Sequence, residues 1–181
     1  LLKDAFIFLN KALLNSYQKL EESNFTDSLT GIYNRKKFDE YATFIFNDAQ
    51  RYNHTFSIIV IDLNKFKPIN DIYGHNVGDK ILVTLVSNIE KSSRNDDILI
   101  RWGGEEFIMI LKVSSENGLK IALENLRKII ENSKIDNLPK ITCSFGGTLY
   151  EKNEPINNTI KRADEALYMA KAAGRNKVIL K

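Results

Sequence analysis

The sequence predicts an α+β domain: a central, mostly antiparallel sheet with helices packed against it, entered through an N-terminal helix. Three observations carry this. Phe56–Leu63 (FSIIVIDL) is a short, almost unbroken apolar run, the pattern of a strand buried on both faces. Ile98–Trp102 and Glu106–Leu111 are two more apolar segments, split by Gly103-Gly104. That is a hairpin signal, because the central positions of a tight turn favour positive φ. Helical segments alternate with the strands, and a hairpin in the middle of that alternation argues against a doubly wound parallel sheet.

The elements follow in order. Leu2, Phe6, Leu9, Leu13 and Leu20 fall at alternating four and three spacings, with Ser16 at the one polar seam position. This heptad stripe fits a coiled-coil strand or an amphipathic helix lying on its own domain, and makes residues 1–24 a helical linker. Residues 25–34 (FTDSLTGIYN) are turn-rich. A helix is expected from Arg35 to about Tyr52, with Phe38, Tyr41, Ala42, Ile45 and Phe46 on one face. After the first strand, NKFKPINDIYGHNVGD reads as a loop. Helical spacing resumes with Ile81, Leu82, Leu85, Val86 and Ile89. A helix over Gly118–Ile130, a strand over Ile141–Tyr150, a helix over Thr159–Ala173 stopped by Gly174, and a strand over Val178–Leu180 complete the chain.

Length and composition limit what this domain does. The chain has 181 residues, 43% hydrophobic and 27% charged, which suits one folded domain with a short appendage. Cys143 is the only cysteine, so an internal disulfide and a four-cysteine zinc site are both excluded, and a reducing, cytoplasmic setting is expected. The net charge of +3 is spread along the chain and gives no argument for DNA or for a membrane surface. No apolar run reaches the length of a membrane span. The start at Leu1-Leu2, without Met, raises the expectation of a fragment of a longer, even membrane-anchored, protein.

Three constellations bear chemistry. Asp62 ends the buried strand, and Glu105 and Glu106 sit at the hairpin tip. If the two elements are sheet neighbours, these carboxylates converge on one edge, where hard oxygen ligands suit Mg²⁺ and a phosphate substrate. The plainer alternative is a solvated acidic turn. Asn70, His75 and Asp79 lie in the loop and at the following helix start. They are either turn and capping residues or a polar pocket, and a carboxylate is the natural partner for guanine's adjacent N1–H and N2 amine. Lys171 and Arg175 are four apart at the end of the last helix, with Lys67 close after the first strand. They form either a phosphate grip or an ordinary solvated helix end. No GxxxxGK[ST] stretch occurs, so a phosphate would be held by metal and side chains.

Taken together these segments resemble the GGDEF family of diguanylate cyclases over Asp27 to about Lys177. The blocks are Asp27–Arg35 (DSLTGIYNR), Asp62–Lys67 (DLNKFK), Ile69–Asp79 (INDIYGHNVGD), Arg101–Phe107 (RWGGEEF), Ser144-Phe-Gly146, Ala163–Lys171 (ADEALYMAK) and Gly174-Arg-Asn176. The signature here is GGEEF. The resemblance implies a palm-like sheet of the nucleotidyl-cyclase type over residues 25–181, and condensation of two GTP into cyclic di-GMP with release of two pyrophosphates. It implies Mg²⁺, or Mn²⁺, held by Asp62, the Leu63 carbonyl and one or both of Glu105 and Glu106. One of those glutamates would assist deprotonation of the attacking 3′-hydroxyl. It implies that Asn70 and Asp79 read guanine with His75 nearby, that Lys67 steadies phosphate charge, and that Lys171 and Arg175 hold the terminal phosphates. Gly103 and Gly104 would leave room for the nucleotide.

One such domain holds one GTP, so the resemblance also implies a homodimer and gives the N-terminal helix a role in forming it. The expected setting is the output domain of a larger bacterial signalling protein under an upstream sensor. Arg94-Asn-Asp-Asp97 matches the family's RxxD inhibitory site for cyclic di-GMP, six residues before Gly103. Asn64 stands where the family often has a second acid. Alternatives are a catalytically silent GGDEF domain acting as a GTP or cyclic di-GMP receptor, a maker of mixed cyclic dinucleotides, and a structural dimerisation module. The intact acids, Asp79, and Lys171 with Arg175 argue against these in turn.

Overall fold

The structure is a computed structural model and describes residues 2–134, 138 and 140–181. Helix α1 (Leu2–Phe25) leads into a short strand β1 (Tyr33–Asn34) and helix α2 (Arg35–Tyr52). Asn34 caps α2, accepting from the backbone N–H of Lys36 and Lys37 at 3.0 and 3.3 Å. The same side chain donates to the carbonyls of Asn24 and Thr26 at 2.9 and 3.1 Å. One residue therefore fastens the end of α1 to the start of α2.

The remaining elements are β2 (Ser57–Leu63), α3 (Phe66–Tyr73), α4 (His75–Ser92), β3 (Ile98–Arg101), β4 (Glu106–Leu111), α5 (Glu116–Asn132), β5 (Cys143–Leu149), α6 (Ile156–Ala172) and β6 (Val178–Leu180). The six strands form one sheet in the order β1-β3-β4-β2-β5-β6. β2 lies at its centre, antiparallel to both β4 and β5; β3 is antiparallel to β4, and only the outer pairs β1/β3 and β5/β6 are parallel. The α+β expectation with a mostly antiparallel sheet holds.

Side-chain alternation along β2 divides the core. Ile59, Ile61 and Leu63 face one side, packed with Leu82, Leu85 and Ile89 of α4 and Leu119 and Leu123 of α5. Ile58 and Val60 face the other, with Phe38, Ala42 and Ile45 of α2 and Ala163 and Leu167 of α6. By the same alternation Asp62 lies on the α2/α6 side, past the end of that apolar layer. All seven residues of β2 are buried, as its unbroken apolar run requires.

Helix α6 approaches the sheet so closely that Gly146 is obligatory. A Cβ there would lie 2.1 Å from both the Ala163 carbonyl oxygen and the Leu167 nitrogen. Both are backbone atoms and cannot turn aside. Gly146→Ala is expected to cost about 3 kcal/mol by overpacking, read as a lower denaturant midpoint with an unchanged slope.

Three local expectations need correction. The stretch after β2 is not a loop: α3 fills most of it, so Asn70 is helical and His75 is the first residue of α4. Pro68 does not prevent this, because it stands in the first turn of α3, where backbone N–H groups have no helical partner to lose. Neither Gly103 nor Gly104 has positive φ. The connection runs over four residues, with the Trp102 N–H donating to the Glu106 carbonyl at 2.8 Å, so a two-residue left-handed turn is not needed. Arg175 is not on α6 with Lys171. The helix ends at Ala172, Gly174 follows at φ 106, and Arg175 itself is left-handed at φ 61.

Candidate active site

The sheet register brings the acids together. Asp62 of β2 and Glu106 of β4 are direct cross-strand partners, which sets their side chains on one face as neighbours. Glu105 precedes Glu106 in the turn, and its carbonyl accepts from the Leu63 N–H at 3.1 Å. The Asp62 side chain is only 12% exposed, and Lys171, in the last turn of α6, reaches across to it with Nζ 2.7 Å from Oδ2. Glu105 is held above the usual carboxylate range, first by burial and then by the negative charges of Asp62 and Glu106, with Lys171 opposing the rise. Three carboxyl groups and one ammonium thus share a corner in which negative charge is in excess.

That donor set fits a hard divalent cation: carboxylate oxygens and a backbone carbonyl, on the side chains and chain turn that meet at the end of β2. A cation there would lower the repulsion that lifts Glu105. Among the described residues no cluster of three or more His, Cys, Asp or Glu with metal-binding arrangement occurs. An ion such as Mg²⁺ would complete its shell here with water or phosphate oxygens. Cys143 is no competing ligand; it is fully buried, and burial first, then Asp62, pushes its thiol well above the ordinary range.

Asn64 does not act as an acid. It is buried, its Oδ1 accepts from the Ser144 hydroxyl at 2.8 Å, and its Nδ2 donates to Thr142 Oγ1 at 3.1 Å. The side chain pins the segment before β5 to the end of β2. A carboxylate would be harder to bury there.

The other sequence-derived residues are placed less closely. Lys67 and Asn70 lie on α3, His75 and Asp79 in the first two turns of α4, and Arg175 beyond α6. Lys67, His75, Asp79 and Arg175 are exposed, and their side chains make no ion pair among the described residues. Arg94 and Asp97 form a tight turn after α4, with the Arg94 N–H donating to Asp97 Oδ2 at 2.8 Å and the Asp97 N–H to the Arg94 carbonyl at 3.0 Å. Both line a cleft of about 560 Å³ against β4 and α5, together with Met109, Leu111, Ile121 and Ile129.

Sequence reasoning passed over one pair. Arg101 donates to the carbonyls of Gly103 and Gly104 at 3.2 and 2.8 Å, and to Asp27 Oδ1 at 2.9 Å. Asp27 also accepts from the Thr30 N–H and hydroxyl at 2.9 and 2.6 Å. The pair clamps the turn that carries Glu105. The available signal was that Asp27 and Arg101 each open a motif block. Burial tends to raise the Asp27 carboxyl, but the Thr30 and Arg101 hydrogen bonds outweigh it and hold it below its usual value. Stability from this group is present above its unfolded value of 3.8 and is lost as pH falls through the lower folded value. Asp27→Asn is expected to cost about 1–2 kcal/mol at neutral pH. The difference from the unsubstituted chain should shrink below pH 4 in acid-titrated melting curves.

A sheet of this topology, ending in paired acids beside a lysine and flanked by motif blocks in this order, defines one class of domain. The model "Diguanylate cyclase, GGDEF domain" matches residues 24–177, and the chain belongs to the GGDEF family. It is 36% identical over 168 residues to the diguanylate cyclase DgcM of Escherichia coli K12, covering 90% of this chain and 40% of that protein. It is 39% identical over 161 residues to the probable diguanylate cyclase DgcT of the same organism, covering 86% and 35%. The chain therefore spans about two fifths of the length of these relatives. Among solved structures it is similar to the coiled coil and GGDEF domain of DgcB from Caulobacter crescentus in complex with c-di-GMP. The TM-score is 0.92 and the identity 28%, over 99% of this chain and 97% of that one. The diguanylate cyclase SiaD of Pseudomonas aeruginosa, solved with its activator SiaC, matches with TM-score 0.84 and 30% identity over 96% and 68%.

Proposed function

We propose that this chain is the catalytic part of a diguanylate cyclase, condensing two GTP into cyclic di-GMP and two pyrophosphates. The observation that carries the reading is the register of Asp62 against Glu106, with Glu105 beside them and Lys171 bound across the corner. Silent relatives would be free to lose these acids; this chain keeps all three with both glycines of the turn.

In this reading Asp62, the Leu63 carbonyl, Glu105 and Glu106 hold Mg²⁺, with Mn²⁺ as a substitute. The metal supplies charge neutralisation at the α-phosphate and at the departing pyrophosphate. Lys171 leaves Asp62 and, with Arg175, turns to the terminal phosphates. Lys67 faces the negative charge that builds on the phosphoryl oxygens. Asn70 and Asp79 bind the guanine edge, with His75 at the pocket's margin, and Gly103 and Gly104 let the turn approach the nucleotide. A glutamate at the tip, Glu105 or Glu106, accepts the 3′-hydroxyl proton.

Each domain binds one GTP, so two must face each other, and α1 is the element that pairs them. Phe6, Leu9 and Leu13 stand exposed on its heptad stripe. The Arg94–Asp97 turn and its cleft take the cyclic di-GMP product, the arginine gripping phosphate and the aspartate guanine. Cyclic di-GMP should inhibit the enzyme, and Arg94→Ala should weaken that inhibition at least about tenfold without lowering initial rates, a 1.4 kcal/mol loss at the second site. Upstream sensing and a cytoplasmic location complete the proposal; among the described residues no helix is long and apolar enough to cross a membrane. The test is incubation of the purified chain with GTP and Mg²⁺ and identification of the nucleotide formed, with Glu106→Gln as control. A chain that dimerises, binds cyclic di-GMP and yet makes none would be a receptor.

A further inference from the structure

Gly78 is the fourth residue of α4, where alanine would be the better helix former. Its backbone does not need glycine, since its φ is not positive. What it provides is space. A Cβ on Gly78 would lie 1.9 Å from Oδ1 of Asn70 and 2.9 Å from its Cγ, with Phe66 Cζ next at 3.1 Å. Gly78 is buried, and so is Asn70 Oδ1, which has no hydrogen-bond partner.

An unpartnered buried amide oxygen calls for a reason. Here the amide oxygen of Asn70 occupies the space that a side chain on Gly78 would fill, with no hydrogen bond to hold it there. Helix α3 is only eight residues long and joins α4 through Gly74 alone, whose N–H donates to the Asn70 carbonyl at 2.8 Å. The backbone of Asn70 is thus tied to the helix junction, and its side chain rests one turn further along the neighbouring helix.

We propose that Gly78 is a positioning residue for nucleotide selection: it forms the seat that holds the Asn70 amide in place to meet a guanine base. This deepens the functional reading above and rests on its placing of Asn70 in the nucleotide pocket. With a methyl group at position 78, the Asn70 side chain must leave its rotamer or α4 must move away from α3. Either displaces the amide from the base while leaving the acids at the end of β2 untouched.

The test is a double-mutant cycle of Gly78→Ala and Asn70→Ala in the full chain, with GTP kinetics, melting temperature and the Asn70 side-chain amide resonance as readouts. Gly78→Ala should raise the KM for GTP about tenfold with kcat within about threefold, equivalent to 1.4 kcal/mol of lost binding. It should move the Asn70 amide resonance, and it should add nothing further to KM once Asn70 is alanine. The double variant should melt above Gly78→Ala alone, because removing the Asn70 amide removes the clash and leaves a better helix. An unchanged KM, an unmoved amide resonance, or a double variant no more stable than Gly78→Ala would each overturn the seat. If the unsubstituted chain makes no cyclic di-GMP, the functional reading fails instead; the resonance and the melting cycle then still decide whether Gly78 seats Asn70.

Discussion

Asp62→Asn is expected to lower cyclic di-GMP formation by about 10³-fold or more, the scale of losing a preorganised charge at a phosphoryl-transfer centre. The substitution keeps shape and removes one negative charge. Asp62 is the most enclosed of the three acids, so in the proposed reaction its substitution takes a negative charge from the centre of the metal site. The fold should survive, since Lys171 is about a third exposed and can turn to water. The Asp62 charge also helps to hold Glu105 above the usual range, so removing it should bring Glu105 back toward its ordinary value. The measurement is product formation from GTP and Mg²⁺ alongside a melting curve. Retention of more than about a tenth of the activity would mean that metal binding does not depend on this carboxylate, and the site as built here would be wrong.

The second large effect concerns α1. Leu9→Glu with Leu13→Glu is expected to cut the specific activity about 100-fold at low protein concentration, with substantial recovery as concentration rises. Both leucines are 67% exposed on one stripe, with Phe6 at 64%. Large apolar side chains left in water at heptad spacing are stabilised when a second copy covers them. The proposed reaction needs two domains, so pairing through the helix would replace a bimolecular encounter with one held at high local concentration. Sedimentation should show the dimer lost in parallel with activity. Lys11→Glu, away from the stripe, should leave both unchanged. A monomeric variant with full activity at low concentration would separate α1 from catalysis.

The candidate site was legible to different depths. Asp62, Glu105 and Glu106 could be named because a carboxylate at the end of an apolar strand and a pair at a hairpin tip break a hydrophobic pattern. Lys171 is marked by its spacing from Arg175 and by its motif block, but neither pairs it with Asp62. Placing Arg175 on the helix beside it was wrong, because four-residue spacing says nothing once the helix has stopped. Asn70 reads as a loop residue because Pro68 and two glycines resemble punctuation. The proline falls where a helix has no N–H to lose, and that depends on where the helix starts.

By itself the sequence determined the sheet-and-helix class, the buried central strand, the apolar stripe of α1 and which residue types carry chemistry. Hydrophobic periodicity and motif order are local properties, and they survive being read along a line. Tertiary structure alone decided that Asp62 faces Glu106 and that Arg101 clamps its turn to Asp27, 74 residues away. It alone decided that Asn64 is a structural amide and that Gly78 is empty space for Asn70. Each of these is a contact between distant segments at hydrogen-bond or van der Waals range. Such contacts are set by sheet register and helix approach, which no spacing within one segment encodes.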